Sequence, residues 1–236
     1  MGILSFGRRG AVVPPRPAER VPRVAGLIPC AGASMRMGTS KALLDAGGRS
    51  FLAAVVGALV GGGCDPVLVV VGPGQDDEKR RATAAGALVL DNPDPGEGPI
   101  TSVRLALAAL AADVDGVALC PVDHPLVRPE TVARLVTELR GTDAPVVLPV
   151  HAGSRGHPTL FRRALFAELS DPGLEGGART VVHRHLEQAS LIDVDDAGVV
   201  TDIDTPEAYR AYRAATRGNA PVTCARREPG RPGDAR

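Results

Sequence analysis

Five short apolar runs recur along the chain: Val24 to Cys30, Pro66 to Gly72, Ala87 to Leu90, Gly116 to Val122 and Pro145 to Val150. The first and most constraining shows no polar/apolar alternation, as expected of a strand covered on both faces. Helical stretches separate the runs. Strands that alternate with helices imply a mostly parallel sheet with helices on either side of it. The expected helices are Ser50 to Gly62, with Ser50 as N-cap and glycines 61–63 as the stop, then 75–85, 100–112, Pro129 to Arg140, 162–169, one from Gly177 to His185, and 206–215. Further strands are expected at 157–161, 191–194 and 199–203.

A chain of 236 residues can bury one sizeable α/β core or two small ones. Its 27 basic and 27 acidic residues are unevenly placed. Residues 1–23 and 217–236 together hold ten basic and three acidic side chains, leaving 17 and 24 between them, a net of −7. Both ends are rich in Pro, Gly and Arg without apolar periodicity and read as disordered basic tails around a domain at 24–216. The start has no continuous apolar signal region, and no segment approaches a membrane span. A cytoplasmic protein without membrane or nucleic-acid partners is expected. The four cysteines are far apart with no C-x-x-C pair, so disulfide and zinc readings are poor, and Cys30 and Cys120 read as small buried thiols.

The first run leads into a glycine-punctuated loop, so that residues 24–41 read VAGLIPCAGASMRMGTSK. Gly32 and Gly38 permit close backbone approach, and successive amides in such a loop form a concavity for phosphate oxygens. The loop ends at Lys41, one of only two lysines beside 25 arginines, which suggests a compact point charge. In an open α/β sheet, ligands gather outside the carboxyl ends of the strands. That edge collects Pro29 to Lys41, Gly72, Asp91 with Asn92, and Asp123, the last expected directly at the end of its strand. Asp123 can hold Mg²⁺, which takes one or two carboxylates together with phosphate oxygens and waters, or it can be a turn residue. Asp202 and Asp204 in DIDTP can complete such a site, and Asp204 can equally cap the last helix. Arg155 and His157 in RGHP can line an acceptor side, and the histidine can equally be structural. His183 and His185, two apart on a helix, form no metal pair. No GxxxxGK[ST], GxGxxG or GxSxG motif is present.

These residues resemble the MobA-like nucleotidyltransferases of molybdenum-cofactor biosynthesis. The family pattern L-A-[AG]-G-x-S-x-R-M-G-x-x-K stands here as Pro29 to Lys41, with Ser34, Arg36 and Gly38 in place. Asn92 with Gly98 and Ser102, then PVDHP, RGHP and DIDTPEAY, follow in the family's order across Val24 to Arg213. The resemblance implies a three-layer, Rossmann-like nucleotidyltransferase fold and transfer of a nucleoside monophosphate from an NTP to a small phosphorylated acceptor, molybdopterin being the best known. Arg36, Lys41 and Asp123 would be catalytic, and Asp123 with Asp204 would hold Mg²⁺. Pro29, Cys30, Ala31, Gly32, Arg36, Lys41, Asn92, Gly98 and Ser102 would contact the nucleotide. Arg155 and His157 would contact the acceptor, and a molybdoenzyme-maturation protein would be a partner.

Two departures stand out. Pro29 and Cys30 replace the family's leucine and alanine, and the proline removes one backbone donor. Ala31, where the family has Ala with CTP or Gly with GTP, favours CTP. The alternatives are a non-catalytic nucleotide-binding protein on the same fold and a nucleotide-sugar glycosyltransferase. The second needs a D-x-D at a strand end, whereas Asp113-Val114-Asp115 precedes its strand.

Overall fold

The computed structural model describes residues 20–32 and 40–217. Of the tails expected at 1–23 and 217–236, residues 1–19 and 218–236 lie outside the described residues, as do Ser34, Arg36 and Gly38 of the opening loop, whereas Arg23 opens the first strand and Arg217 ends the last described helix. Strands β1 (Arg23–Pro29), β2 (Val67–Val71), β3 (Leu88–Asp91) and β4 (Val114–Leu119) form a parallel block in the order β3-β2-β1-β4. Beyond β4 the sheet continues as β7-β5-β6, where β5 is Val146–His151, β6 is Ser154–Arg155 and β7 is Thr159–Arg162. β7 runs antiparallel to both β4 and β5, and β8 (Ser190–Asp193) pairs parallel with β5.

The absence of alternation in the strands has a direct cause. Along β1, Val24 and Ile28 enter one core, while Ala25 and Leu27 enter another on the opposite face. The first core is closed by helices α1 (Phe51–Gly61), α2 (Asp76–Ala84) and α4 (Pro129–Gly141); the second by α3 (Pro99–Ala109), α5 (Phe166–Leu169) and α6 (Ala178–Arg184). With both faces covered, the fully buried positions 24–28 of β1 are all apolar. Ser50 caps α1 as expected, its hydroxyl accepting from the Ala53 amide at 3.2 Å.

Several expected elements differ, each for a local reason. β4 stops at Leu119 rather than running to Val122. The Cys120 amide still bonds the Leu27 carbonyl at 3.0 Å, but Pro121 has no N–H to continue the ladder. Asp123 therefore sits in a turn four residues beyond the strand, not at its end. The strand expected from His157 begins at Thr159, after Pro158. The helix expected at 162–169 is a single 3₁₀ turn, Arg163–Leu165, followed by α5. No strand forms at 199–203: the Asp196 carboxylate accepts from the Gly198 amide at 3.0 Å and folds Ala197–Val199 into a 3₁₀ turn. The last helix among the described residues, α7 (Pro206–Arg217), forms where a helix is expected at 206–215.

Candidate active site

Three strand-end segments of the parallel block converge on one cavity of about 290 Å³, lined by residues that include Pro29 to Gly32, Lys41, Gly98, Ser102 and Asp123. The β1 end is held against β2 by Gln75, whose side chain donates to the Cys30 carbonyl at 3.0 Å and accepts from the Gly72 amide at 2.5 Å. A Cβ on Gly72 would lie 2.8 Å from the Ala31 carbonyl oxygen, so this approach requires glycine. Burial pushes the Cys30 thiol up to about 12, the charge of Glu78 adding to the effect. The same cause raises Cys120, so both are inert small side chains, as expected.

Lys41 opens a 3₁₀ turn and reaches across to Asp123, with Nζ 3.5 Å from Oδ2. The two residues are 82 positions apart in sequence. The other carboxylate oxygen, Oδ1, is buried with no hydrogen-bond partner, and His124 Nε2 is 3.9 Å from it. A buried carboxylate oxygen without a donor is costly unless a cation faces it. Among the described residues no cluster of three or more His, Cys, Asp or Glu side chains could hold a metal by itself. Mg²⁺ needs no such cage, since one or two carboxylates suffice when phosphates and waters complete the octahedron. The residues present therefore fit such an ion.

The DIDTP segment lies against this turn: the Ile203 amide donates to the Asp123 carbonyl at 2.9 Å. The cap of α7 is Thr205, whose hydroxyl accepts from the Ala208 amide at 3.1 Å. Asp204, half-buried, thus does not have the capping duty. Asn92 is almost fully buried, and its amide is spent on the loop before α3. It donates to Thr101 Oγ1 at 2.8 Å and Ser102 Oγ at 3.2 Å, and accepts from the Asp94 amide. Asn92 does not line the 290 Å³ cavity; it holds Ser102, which does. Gly98, at φ 86°, is the left-handed residue that turns the chain into α3.

Arg155 and His157 lie apart from these, on a second cavity of about 300 Å³ beside the antiparallel strands. The two sites meet through a pair of imidazoles tilted by 58°, the His124 and His157 ring centroids being 4.8 Å apart. Burial, and then the neighbouring His124, push His157 down to about 4, against the opposing pull of Asp123 and the Leu119 carbonyl. His157 is therefore neutral at pH 7. A third cavity of about 520 Å³ joins both: it shares Pro29, Pro99 and Pro121 with the first and Leu119 and Ala178 with the second.

One positioning residue was not apparent from sequence. Asp196, 2 % exposed, accepts from the Arg128 amide at 3.0 Å and from the Thr131 hydroxyl at 2.7 Å, besides Gly198. It anchors a strap, residues 194–203, to the start of α4. From that strap the Val199 carbonyl accepts from the His157 amide at 2.8 Å, and Ile203 holds the Asp123 turn. Gly198 and Gly156 are the close approaches: a Cβ would fall 2.3 Å from the Leu126 oxygen and 2.2 Å from the Val199 oxygen. The Asp-Ala-Gly turn signal at 196–198 is legible in sequence; its partners in α4 are not.

Comparison with known proteins bears on the family and the fold. The family profile described as the MobA-like NTP transferase domain matches residues 26–190. A protein of Mycolicibacterium paratuberculosis named "Probable molybdenum cofactor guanylyltransferase" is 35 % identical over 178 residues, covering 74 % of this chain and 83 % of that one. The "Nicotine blue oxidoreductase" of Paenarthrobacter nicotinovorans is 30 % identical, covering 79 % and 95 %. Among solved structures, Rv0371c of Mycobacterium tuberculosis H37Rv is similar at 28 % identity with a TM-score of 0.70, covering 80 % of this chain and 97 % of that one. Its complex with manganese gives 26 % and 0.67, with the same coverage.

Proposed function

Because the chain belongs to the MobA-like NTP transferase family and is a nucleotidyltransferase, we propose that it transfers a nucleoside monophosphate from an NTP to a phosphorylated acceptor of molybdopterin type. One observation carries this reading: Lys41 and Asp123 meet in the lining of the strand-end cavity, and Asp123 Oδ1 is buried there without a donor. An oxygen of the acceptor phosphate attacks the α-phosphorus, the bond to the β-phosphate bridging oxygen breaks, and pyrophosphate leaves. The Lys41 ammonium offsets the charge that grows on the leaving phosphates, and Arg36 of the preceding loop shares that task. Asp123, with Asp204, would hold a divalent cation, Mg²⁺ in this reading, and that ion would supply positive charge against the phosphate oxygens. Pro29 to Gly32, Gly98 and Ser102 surround ribose and base, with Asn92 fixing the loop that carries them. Arg155 and His157 face the acceptor, and the product passes to a molybdoenzyme-maturation partner.

The donor nucleotide rests on two opposed considerations. Ala31 favours CTP, but at 4 % exposure its methyl presents little surface to the cavity. The cavity of about 520 Å³ adjoining Pro29 has room for a purine, and the curated relative is named as a guanylyltransferase. We therefore place GTP ahead of CTP. Pyrophosphate release measured with each of the four NTPs, with molybdopterin as acceptor and Mg²⁺ present, tests both points. Release with GTP above the others is expected; binding of an NTP without release from any acceptor would instead identify a non-catalytic nucleotide-binding protein.

A further inference from the structure

Tyr209 ends the DIDTPEAY run and lines none of the three cavities described above. Its hydroxyl serves the segment that carries Lys41. That segment passes from the 3₁₀ turn Lys41–Leu43 through Leu44 to Asp45, and both backbone polar groups of Asp45 meet the one phenol. The Asp45 amide donates to the Tyr209 hydroxyl at 3.2 Å, and that hydroxyl donates to the Asp45 carbonyl at 3.3 Å. The Asp45 carboxylate is engaged as well: Oδ1 accepts from the Gly48 amide at 2.8 Å, and Oδ2 accepts from Arg213 Nη1 at 2.5 Å, one turn further along α7. Asp45 is thus tied to α7 by backbone and side chain alike.

The rings stiffen this attachment. The chain's two tyrosines, Tyr209 and Tyr212, are three apart on α7 and so share one side of it. Both meet the fully buried ring of Phe51, the first residue of α1, edge-on with centroids at 5.8 and 6.3 Å, a geometry that stabilises aromatic pairs beyond the area they bury. The Arg213 guanidinium lies over the Tyr209 ring, 5.9 Å from its centre. The same run of chain also reaches the other charged partner. The Ile203 amide bonds the Asp123 carbonyl at 2.9 Å, Asp204 follows, and the Tyr209 amide bonds the Thr205 carbonyl at 3.0 Å in the first turn of α7. Residues 203–213 therefore grip the Asp123 turn at one end and the Lys41 segment at the other. Lys41 and Asp123 come from loops 82 positions apart and meet at 3.5 Å, so a helix bonded to both sides fixes their spacing.

We propose that Tyr209 is a positioning residue of nucleotidyl transfer: by holding Asp45 it sets the Lys41 ammonium against Asp123, and so against the charge that grows on the leaving phosphates, without touching substrate itself. Its consequence for turnover rests on the nucleotidyltransferase reading, whereas the placement of Lys41 can be read without turnover.

The test compares the unsubstituted full chain with Tyr209→Phe, which keeps the ring and deletes the hydroxyl, in two measurements. The first is a proton–carbon-13 correlation spectrum of the chain labelled at its lysine ε-carbons. Lys41 and Lys79 are its two lysines, so Lys41→Ala identifies the Lys41 signal. Tyr209→Phe is expected to move that signal and to leave the signal of Lys79, which is paired with Asp91, in place. The second is pyrophosphate release from GTP with molybdopterin and Mg²⁺, where kcat should fall about tenfold while KM for GTP stays within about twofold. In the Lys41→Ala chain the same substitution should change kcat by less than about twofold, because a residue that acts through Lys41 then has nothing left to position. Arg210→Ala, on the same helix and paired with Glu207, should match the unsubstituted chain in both measurements. An unmoved Lys41 signal, an unchanged kcat, or a loss of the same size in the Lys41→Ala background would overturn the proposal. The last outcome would assign the loss to general destabilisation, which acts in either background. No release from the unsubstituted chain, with the Lys41 signal displaced in Tyr209→Phe, would count against the nucleotidyltransferase reading and leave the placement of Lys41 by Tyr209 standing.

Discussion

The two halves of the sheet meet at one crevice but contribute to it in different ways. The parallel block β3-β2-β1-β4 supplies a cation and a carboxylate already facing each other, Lys41 and Asp123, on loops that leave consecutive strand ends. The antiparallel part, β7-β5-β6, supplies arginines without carboxylates and a neutral histidine, and its loop is tied down by a strap from much later in the chain. The first half is suited to neutralising a triphosphate and a metal ion, the second to receiving an anion. Parallel topology places strand ends side by side automatically, whereas the antiparallel insertion depends on specific tertiary bonds to aim RGHP at the same point.

The largest effect that would test this division is on the parallel side. Lys41→Ala is expected to lower kcat by about 10²–10³-fold, ~3–4 kcal/mol, the scale of one preorganised charge-stabilising group. Thermal melting should move little, because Lys41 makes one ion pair at 3.5 Å. Turnover equal to that of the unsubstituted chain would remove Lys41 from the mechanism and erase the contrast between the halves.

Next in size is the strap. Asp196→Ala deprives the Arg128 and Gly198 amides and the Thr131 hydroxyl of their acceptor, at a cost of ~3 kcal/mol in denaturant unfolding. Asp196→Asn should cost less, and both should weaken use of the acceptor more than binding of the NTP. Equal losses on the two substrates would show that the strap supports the whole site rather than its antiparallel side.

A smaller effect comes from His157. Its folded pKa of about 4 lies below the ordinary 6.5, so between those pH values the unfolded chain holds a proton that the native chain does not. Stability therefore falls as pH drops through this window, by ~2 kcal/mol between pH 7 and 5, and this contribution levels off below pH 4. Urea melts at pH 7, 6 and 5 would read the slope, and His157→Gln should flatten it. An identical slope in that variant would assign the pH dependence to other groups.

The same division explains what could be read from the sequence. The strand and helix sequence through α4 was legible because each buried strand is a contiguous apolar run and each helix carries its own stop or start, such as Ser50 or Pro129. That Lys41 and Asp123 lie past neighbouring strands could be read because one follows a glycine loop and the other an apolar run; that they meet could not. The exact end of β4 was misplaced because apolar residues continue past Pro121, whose missing N–H ends the pairing. Beyond β5 the signals become tertiary. Asp196 reads as one turn residue among several, and its role appears only when α4, the RGHP loop and the Asp123 turn are seen to bond to one strap.

The central claim is that Asp123 is the cation-holding carboxylate of a nucleotidyl-transfer centre. Its most direct test is pyrophosphate release from GTP with molybdopterin as acceptor, measured across a Mg²⁺ series for the unsubstituted chain and for Asp123→Asn. Release that requires Mg²⁺ in the former and is abolished in the latter, with the circular-dichroism spectrum and melting temperature unchanged, is the predicted result. Metal-dependent release retained by Asp123→Asn would contradict it and place the cation elsewhere.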